Sequence, residues 1–174
     1  MPDTLKELLA HQYEASLSAL NLPLARCPDG IWNQPVAKWK FCQAAFHTVF
    51  FTDLYLQPTD EVEAFKRQPF HVEQKNVFRD YEELEDRPQV LLYEKPFAQM
   101  YLQSVRRKAQ ETIARETADV LAGPSGFSWR KCSRAELHVY NIRHIQHHAA
   151  QLGLRLRQEM DVDIPWASHA WKDA

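Results

Sequence analysis

The sequence predicts an all-α protein, a four-helix bundle with a long connection between its second and third helices. Four long stretches repeat apolar residues at steps of three and four, the period of a helix with one buried side. No stretch shows the alternation typical of a half-buried strand. The 174 residues are 45% hydrophobic and 25% charged, which is sufficient for a single domain, 1–174, with a substantial core.

The first predicted helix begins at Thr4, a residue type that suits an N-cap, and ends at Ala19 or Asn21. Its apolar side is formed by Leu5, Leu8, Leu9, Tyr13, Leu17 and Leu20. His11 lies off that side and is expected at the surface. Three prolines and a Pro-Asp-Gly turn then predict a loop, from which Trp32 is expected to cover the edge of the core.

The second predicted helix spans Ala37 to Leu56 and carries His47 on its apolar face, among Ala44, Phe50, Phe51 and Leu54. A buried neutral histidine needs a partner for each ring nitrogen, because an unpaired buried polar group costs about 1–3 kcal/mol. His47 is therefore either a hydrogen-bonded core histidine or a metal ligand. Asp53 lies more than a quarter-turn away and is expected at the surface.

Residues 57–94 predict a long connection, because the stretch is rich in charge and contains Pro58, Pro69 and Pro88. DEVEAF and NVFRDYEEL each suggest a short helix within it. The aromatic residues of the stretch are expected to pack against the bundle: Phe65, Phe70, Phe78 and Tyr81. His71 has no suitable neighbours in sequence and is expected at the surface. Long connections of this kind are often functional.

The third predicted helix starts near Pro96, a favoured first-turn residue, and ends at Ala118 or Leu121. Its inner side is formed by Phe97, Met100, Tyr101, Val105, Ala109, Thr112 and Ile113. The run 106–108 is expected to be a solvated charged face. A glycine- and proline-rich turn follows, and the region of Ser133 is expected to cap the last helix.

The fourth predicted helix, Arg134 to Gln158, carries His144, His147 and His148 beside a stripe of apolar residues: Ile142, Ile145, Ala149, Leu152 and Leu156. His144 and His148 flank the stripe and project the same way, whereas His147 lies nearly opposite. This spacing of four can place two imidazoles on one metal ion. By itself, however, the spacing is more often that of polar flanking residues. In the tail, 161–174, Trp166 and Trp171 are expected to fasten the chain to the bundle.

The composition argues against several classes of function. The net charge of −2 and a pI near 6.4 offer no basic face for nucleic acid. No apolar run approaches the roughly 20 residues of a membrane span, and the first residues do not resemble a signal peptide. Cys27, Cys42 and Cys132 are odd in number and far apart, which favours free thiols and a cytoplasmic location.

His47, His144 and His148 together define a candidate site, because sites in helical bundles are built from side chains of facing helices. Three imidazoles leave a fourth position for water or substrate, the open arrangement of a catalytic metal site. Zinc is the preferred divalent ion, with nickel or iron as alternatives.

The chain resembles the DinB/YfiT-like family of metal-dependent four-helix-bundle proteins. The resemblance lies in His47 within AAFHTVFFTD, and in His144 and His148 within NIRHIQHHAAQLGLRLRQ. KPFAQMYLQSVRRK is also similar to the family's third helix. Where the family often has Arg-Gly, this chain has Ala149-Ala150. The resemblance covers about residues 4–160.

The resemblance implies an up-down-down-up bundle, a divalent metal held by the three histidines, and frequently a homodimer. It also implies a small-molecule substrate, including a low-molecular-weight thiol for the family members that transfer sulfur.

Two functions follow as hypotheses. One is a metal-dependent enzyme that activates a thiol or water, as a thiol-dependent S-transferase or a hydrolase. The other is a non-catalytic structural or interaction bundle with hydrogen-bonded core histidines. The sequence identifies neither a substrate nor a general base.

Overall fold

The computed structural model describes residues 2–160, 164–168 and 171 and is dominated by four long helices. These are α1 (Pro2–Arg26), α3 (Phe41–Tyr55), α6 (Lys95–Arg115) and α8 (Arg134–Met160). The all-α prediction is confirmed. Shorter elements connect them: α2 (Asp29–Trp32), β1 (Pro35–Val36), β2 (Trp39–Lys40), α4 (Val62–Lys66), α5 (Pro69–Glu73), a 3₁₀ turn (Glu82–Leu84) and α7 (Ala118–Ala122).

The four long helices enclose the core in the cyclic order α1, α8, α3, α6. Polar contacts give their directions. Lys6 bonds to the carbonyl of Ala114, and Glu14 pairs with Arg106, so α1 and α6 run antiparallel. Asn141 bonds to the carbonyl of Thr52, and His148 lies beside His47, so α3 and α8 also run antiparallel.

Ring and ion-pair contacts complete this picture. Phe46 packs on Phe97, and Asp53 pairs with Lys108, so α3 and α6 run in the same direction. It follows that α1 and α8 both run opposite to α3 and α6. The two helices that carry the candidate ligands, α3 and α8, are therefore direct neighbours.

Helix α1 is longer than predicted at both ends. It begins at Pro2 rather than being capped by Thr4, and it continues through Pro23 to Arg26. Proline lacks a backbone N–H and disrupts a helix interior. Here Leu22 and Leu24 on either side of Pro23 are fully buried, and this burial offsets the missing hydrogen bond.

Helix α3 begins later than predicted because a small hairpin precedes it. Strands β1 and β2 pair antiparallel, and Ala37 between them has φ 53°, a left-handed conformation that no helix accommodates. The Gln43 side chain then accepts a hydrogen bond from the backbone N–H of Lys40 at 3.0 Å, which satisfies one free donor at the start of α3. The prediction of a helix from Ala37 is wrong for this reason.

The long connection between α3 and α6 packs down as predicted. Phe65 and Phe78 are buried, and α4 overlaps the predicted DEVEAF segment and ends one residue beyond it. The NVFRDYEEL segment, in contrast, forms only the short 3₁₀ turn, while α5 was not predicted. Tyr81 before the turn has φ 46°, which interrupts a helix at that point.

Helix α6 ends at Arg115, earlier than predicted, because Thr117 starts a separate helix, α7. The Thr117 hydroxyl accepts a hydrogen bond from the N–H of Val120. Met100, which was predicted on the inner side of α6, is 43% exposed, so that assignment is wrong.

Helix α8 matches its prediction closely, with Ser133 accepting from the N–H of Glu136 at its start. The described tail residues pack in part. Ala167 is buried and Trp171 stacks on Arg106, whereas Trp166 is 71% exposed. Positions 161–163, 169, 170 and 172–174 of the predicted tail lie outside the described residues.

No helix within the described part of the chain has the length and apolar character needed to cross a bilayer. Cys27, Cys42 and Cys132 are free thiols.

Candidate metal site

The three predicted ligands converge between α3 and α8. One ligand atom from each of His47, His144 and His148 can be chosen so that all three lie within 4.8 Å of one another. The ring centroids of His144 and His148 are 4.8 Å apart, and that of His47 lies 5.5 Å and 5.0 Å from them. This spacing suits a single divalent cation held by three imidazoles.

Burial keeps these imidazoles uncharged, as metal ligation requires. It lowers the pKa of His47 to about 3, with His148 and Lys38 adding to the effect. Burial also lowers the pKa of His144 to about 3, and the two other histidines contribute. The pKa of His148 is lowered by burial too, although its hydrogen bond to Gln151 opposes this shift.

Two of the rings have an unpaired nitrogen. Nδ1 of His47 and Nδ1 of His144 are buried and have no hydrogen-bond partner among the described residues. A buried imidazole nitrogen without a partner is unfavourable in a purely structural core. The donor set therefore fits a metal site better than a hydrogen-bonded one.

Gln151 fixes the third ring. Its side-chain oxygen lies 2.9 Å from Nδ1 of His148, and its amide nitrogen lies 3.0 Å from Nε2 of His147. Because the amide oxygen only accepts, Nδ1 of His148 carries the proton and Nε2 keeps the free electron pair. Hydrogen bonds of this kind orient histidine ligands in metal sites. His147 itself is exposed, as predicted.

Aromatic side chains surround the three histidines. The ring of Trp39, from the hairpin, lies 4.7 Å from that of His47 and 6.1 Å from that of His148. Phe51, one turn along α3, lies 4.7 Å from the His47 ring, and Tyr55 lies 6.0 Å from the His144 ring. These rings form aromatic walls around the site, and access to it lies on either side of Trp39.

Two clefts give that access. One of about 530 Å³ contains His47, Phe51 and the 82–89 segment. The other, of about 460 Å³, contains His148, Gln151 and Arg155. Lys38 and Trp39 line both clefts, so the hairpin forms the partition between them.

A buried network elsewhere corrects two sequence predictions. Asp53 and His71, both expected at the surface, are 3% and 1% exposed. Nε2 of His71 lies 2.9 Å from Oδ2 of Asp53, and Tyr101 donates to the same oxygen at 2.8 Å. Lys108 pairs with the other carboxylate oxygen, so the 106–108 run is not simply a solvated face. The network ties the long connection to α3 and α6.

A second network involves His138, which sequence reasoning did not single out. Its Nε2 lies 2.9 Å from Glu116, and its Nδ1 lies 2.9 Å from the Tyr13 hydroxyl. His138 stands two turns before the buried Ile145, so extending the apolar stripe backwards would have identified it as buried. Neither His71 nor His138 belongs to the three-histidine cluster.

Comparison of the chain with protein-family models, curated proteins and solved structures finds no match. The DinB-like resemblance therefore stays a hypothesis.

Proposed function

We propose that the protein is a metal-dependent enzyme of the DinB-like type, in which His47, His144 and His148 hold one divalent ion. The observation that carries the proposal is the convergence of the three imidazoles within 4.8 Å. The unpaired Nδ1 atoms of His47 and His144 support it. Zinc suits three neutral imidazoles, and nickel or iron are the alternatives.

When bound, such an ion supplies Lewis acidity, which lowers the pKa of a water or thiol that occupies its open position. The chain's own contribution is to hold three neutral donors and to shield them with Trp39 and Phe51. Gln151 keeps the proton of His148 on Nδ1.

Two reaction classes fit this arrangement. In thiol transfer, the sulfur bonds to an electrophilic carbon, the bond from that carbon to its leaving group breaks, and the thiol proton passes to the leaving group or solvent. In hydrolysis, water takes the place of the thiol in the same exchange. The two clefts on either side of Trp39 favour transfer, because they offer separate approaches for two small molecules. We also propose a cytoplasmic location. We further propose a homodimer, and light scattering would test this by measuring the molar mass in solution.

The alternative is a non-catalytic structural or interaction bundle with hydrogen-bonded core histidines. The Gln151–His148 bond agrees with it, but the unpaired nitrogens of His47 and His144 do not.

Elemental analysis of the purified protein tests the proposal. We expect about one zinc per chain after zinc loading and dialysis, and loss of that zinc in His144→Ala. His11→Ala is the matched control, because it removes an exposed histidine of α1 outside the three-histidine cluster and should leave zinc binding intact. Unchanged zinc content in His144→Ala would reject the site and favour the structural alternative.

A further inference from the structure

The cleft of about 530 Å³ beside His47 is lined by acidic and aromatic side chains, which favour some classes of substrate over others. Trp39, His47 and Phe51 form one side, and residues of the 82–89 segment form the other. A ligand in this cleft reaches the three-histidine cluster from the His47 side.

Carboxylates outnumber cations in the lining of this cleft. Glu82, Glu83, Glu85 and Asp86 contribute four carboxyl groups, against Lys38 and Arg87. Arg87 is already paired with both Glu85 and Glu82. Asp86 therefore has only Lys38 as a further cation in the lining. Glu82, Glu85 and Asp86 outnumber the two cations even when Glu83 is protonated, so the cleft carries net negative charge.

Two of these carboxyl groups are held in place by the fold. Glu82 accepts hydrogen bonds from the N–H groups of Val90 and Leu91 at 3.1 and 2.9 Å. The Tyr93 hydroxyl donates to Glu83 at 2.7 Å. Their positions are therefore set before a ligand arrives.

The opposite wall is aromatic, and an ammonium group already contacts it. Nζ of Lys38 lies 5.2 Å from the centroid of the Trp39 ring. The electron-rich face of an indole attracts cations at this distance. A positively charged ligand that displaces the Lys38 ammonium from this ring would therefore meet favourable partners on both sides of the cleft.

The cleft on the other side of Trp39 provides a contrast within the same molecule. Its lining includes Lys38 and Arg155 and no carboxylate among the described residues. Arg155 also donates to the carbonyl of Pro35. The two approaches to the histidines thus differ in the sign of their charge.

We propose that the cleft beside His47 binds a substrate bearing a positively charged ammonium group, placed between Trp39 and the carboxylate of Asp86. Its role in a reaction rests on the proposed metal-dependent function, whereas the binding itself does not. The reactive part of the substrate then extends towards the three histidines.

Choline and 3,3-dimethyl-1-butanol test the proposal, because they have nearly the same shape and differ in charge. Titration calorimetry with the metal-free and the zinc-loaded protein would measure both affinities. We expect choline to bind about fivefold more tightly or better, in line with a cation–π and carboxylate contribution. Asp86→Asn and Trp39→Leu should each reduce that preference.

Glu136→Gln is the matched control, because it removes one exposed carboxylate from α8 outside the cleft lining and should leave the preference unchanged. Equal affinity for the two probes, or a preference that survives both Asp86→Asn and Trp39→Leu, would overturn the proposal. A choline preference in protein that fails to bind zinc would reject the metal function alone. Zinc binding without a choline preference would reject the cleft alone.

Discussion

At the scale of single residues, the most informative side chains are those whose partners lie far away in sequence. The positions of His47, His144 and His148 followed from helical periodicity, because each helix face is set locally. Asp53 and His71 were placed wrongly at the surface. Their burial depends on Lys108 and Tyr101 of α6, and no local sequence pattern indicates partners on another helix.

Gln151 carries a prediction at this scale. Gln151→Ala removes the acceptor that keeps the proton of His148 on Nδ1, so the ring loses its fixed orientation. We expect zinc affinity to fall about 10- to 100-fold while the fold is retained. Competition with a zinc-sensitive dye measures this, and circular dichroism checks the fold.

Gln158→Ala is the control for Gln151→Ala, since Gln158 is an exposed glutamine of the same helix. Equal zinc affinity in the two variants would show that Gln151 does not position the ligand.

At the scale of elements, the existence of the four long helices could be predicted but several of their ends could not. Apolar periodicity marks a buried face, whereas the ends depend on local devices. The left-handed Ala37 delays α3, and the Thr117 cap separates α7 from α6. The long connection was recognised, but its anchoring by the buried hydrogen bond between His71 and Asp53 was not, because these two residues meet only in the folded state.

The pair of Asp53 and Lys108 gives a prediction for the packing of α3 against α6. Asp53→Asn should destabilise the protein by about 3 kcal/mol, because it leaves the largely buried Lys108 ammonium without its counter-charge. Urea unfolding measures the change. The double variant Asp53→Asn/Lys108→Met should be closer to wild type, since it removes both charges while the amide oxygen still accepts from Tyr101. A double variant as unstable as Asp53→Asn would contradict this explanation.

At the scale of the whole molecule, charge and burial set the response to pH. Burial raises the pKa of Glu83 to about 7 from 4.5, with Glu82 adding to the rise and Tyr93 and Arg87 opposing it. A carboxyl group whose pKa is higher in the folded than in the unfolded protein stabilises the folded state at pH values below its unfolded pKa. That stabilisation is lost as the pH rises through its folded pKa.

The stability of wild type relative to Glu83→Gln should therefore decrease between pH 5 and pH 8, by about 1–2 kcal/mol. Glutamine keeps an acceptor for Tyr93 but does not titrate. Urea unfolding at both pH values, with a chelator present, measures the difference. The contributions of the three histidines are common to both proteins and cancel. Parallel pH profiles would show that Glu83 titrates normally.

The candidate ligands come from the first third and the last fifth of the chain, and the exposed stretches of the 57–94 segment lie between them in sequence. A cation shared by the histidines would act as a reversible cross-link across the protein. A protease that cuts the backbone between Gln57 and Glu94 would then produce two fragments, and these would stay associated while the ion is bound. Chelation would weaken that association, so occupancy of the site would also govern how long a nicked molecule survives.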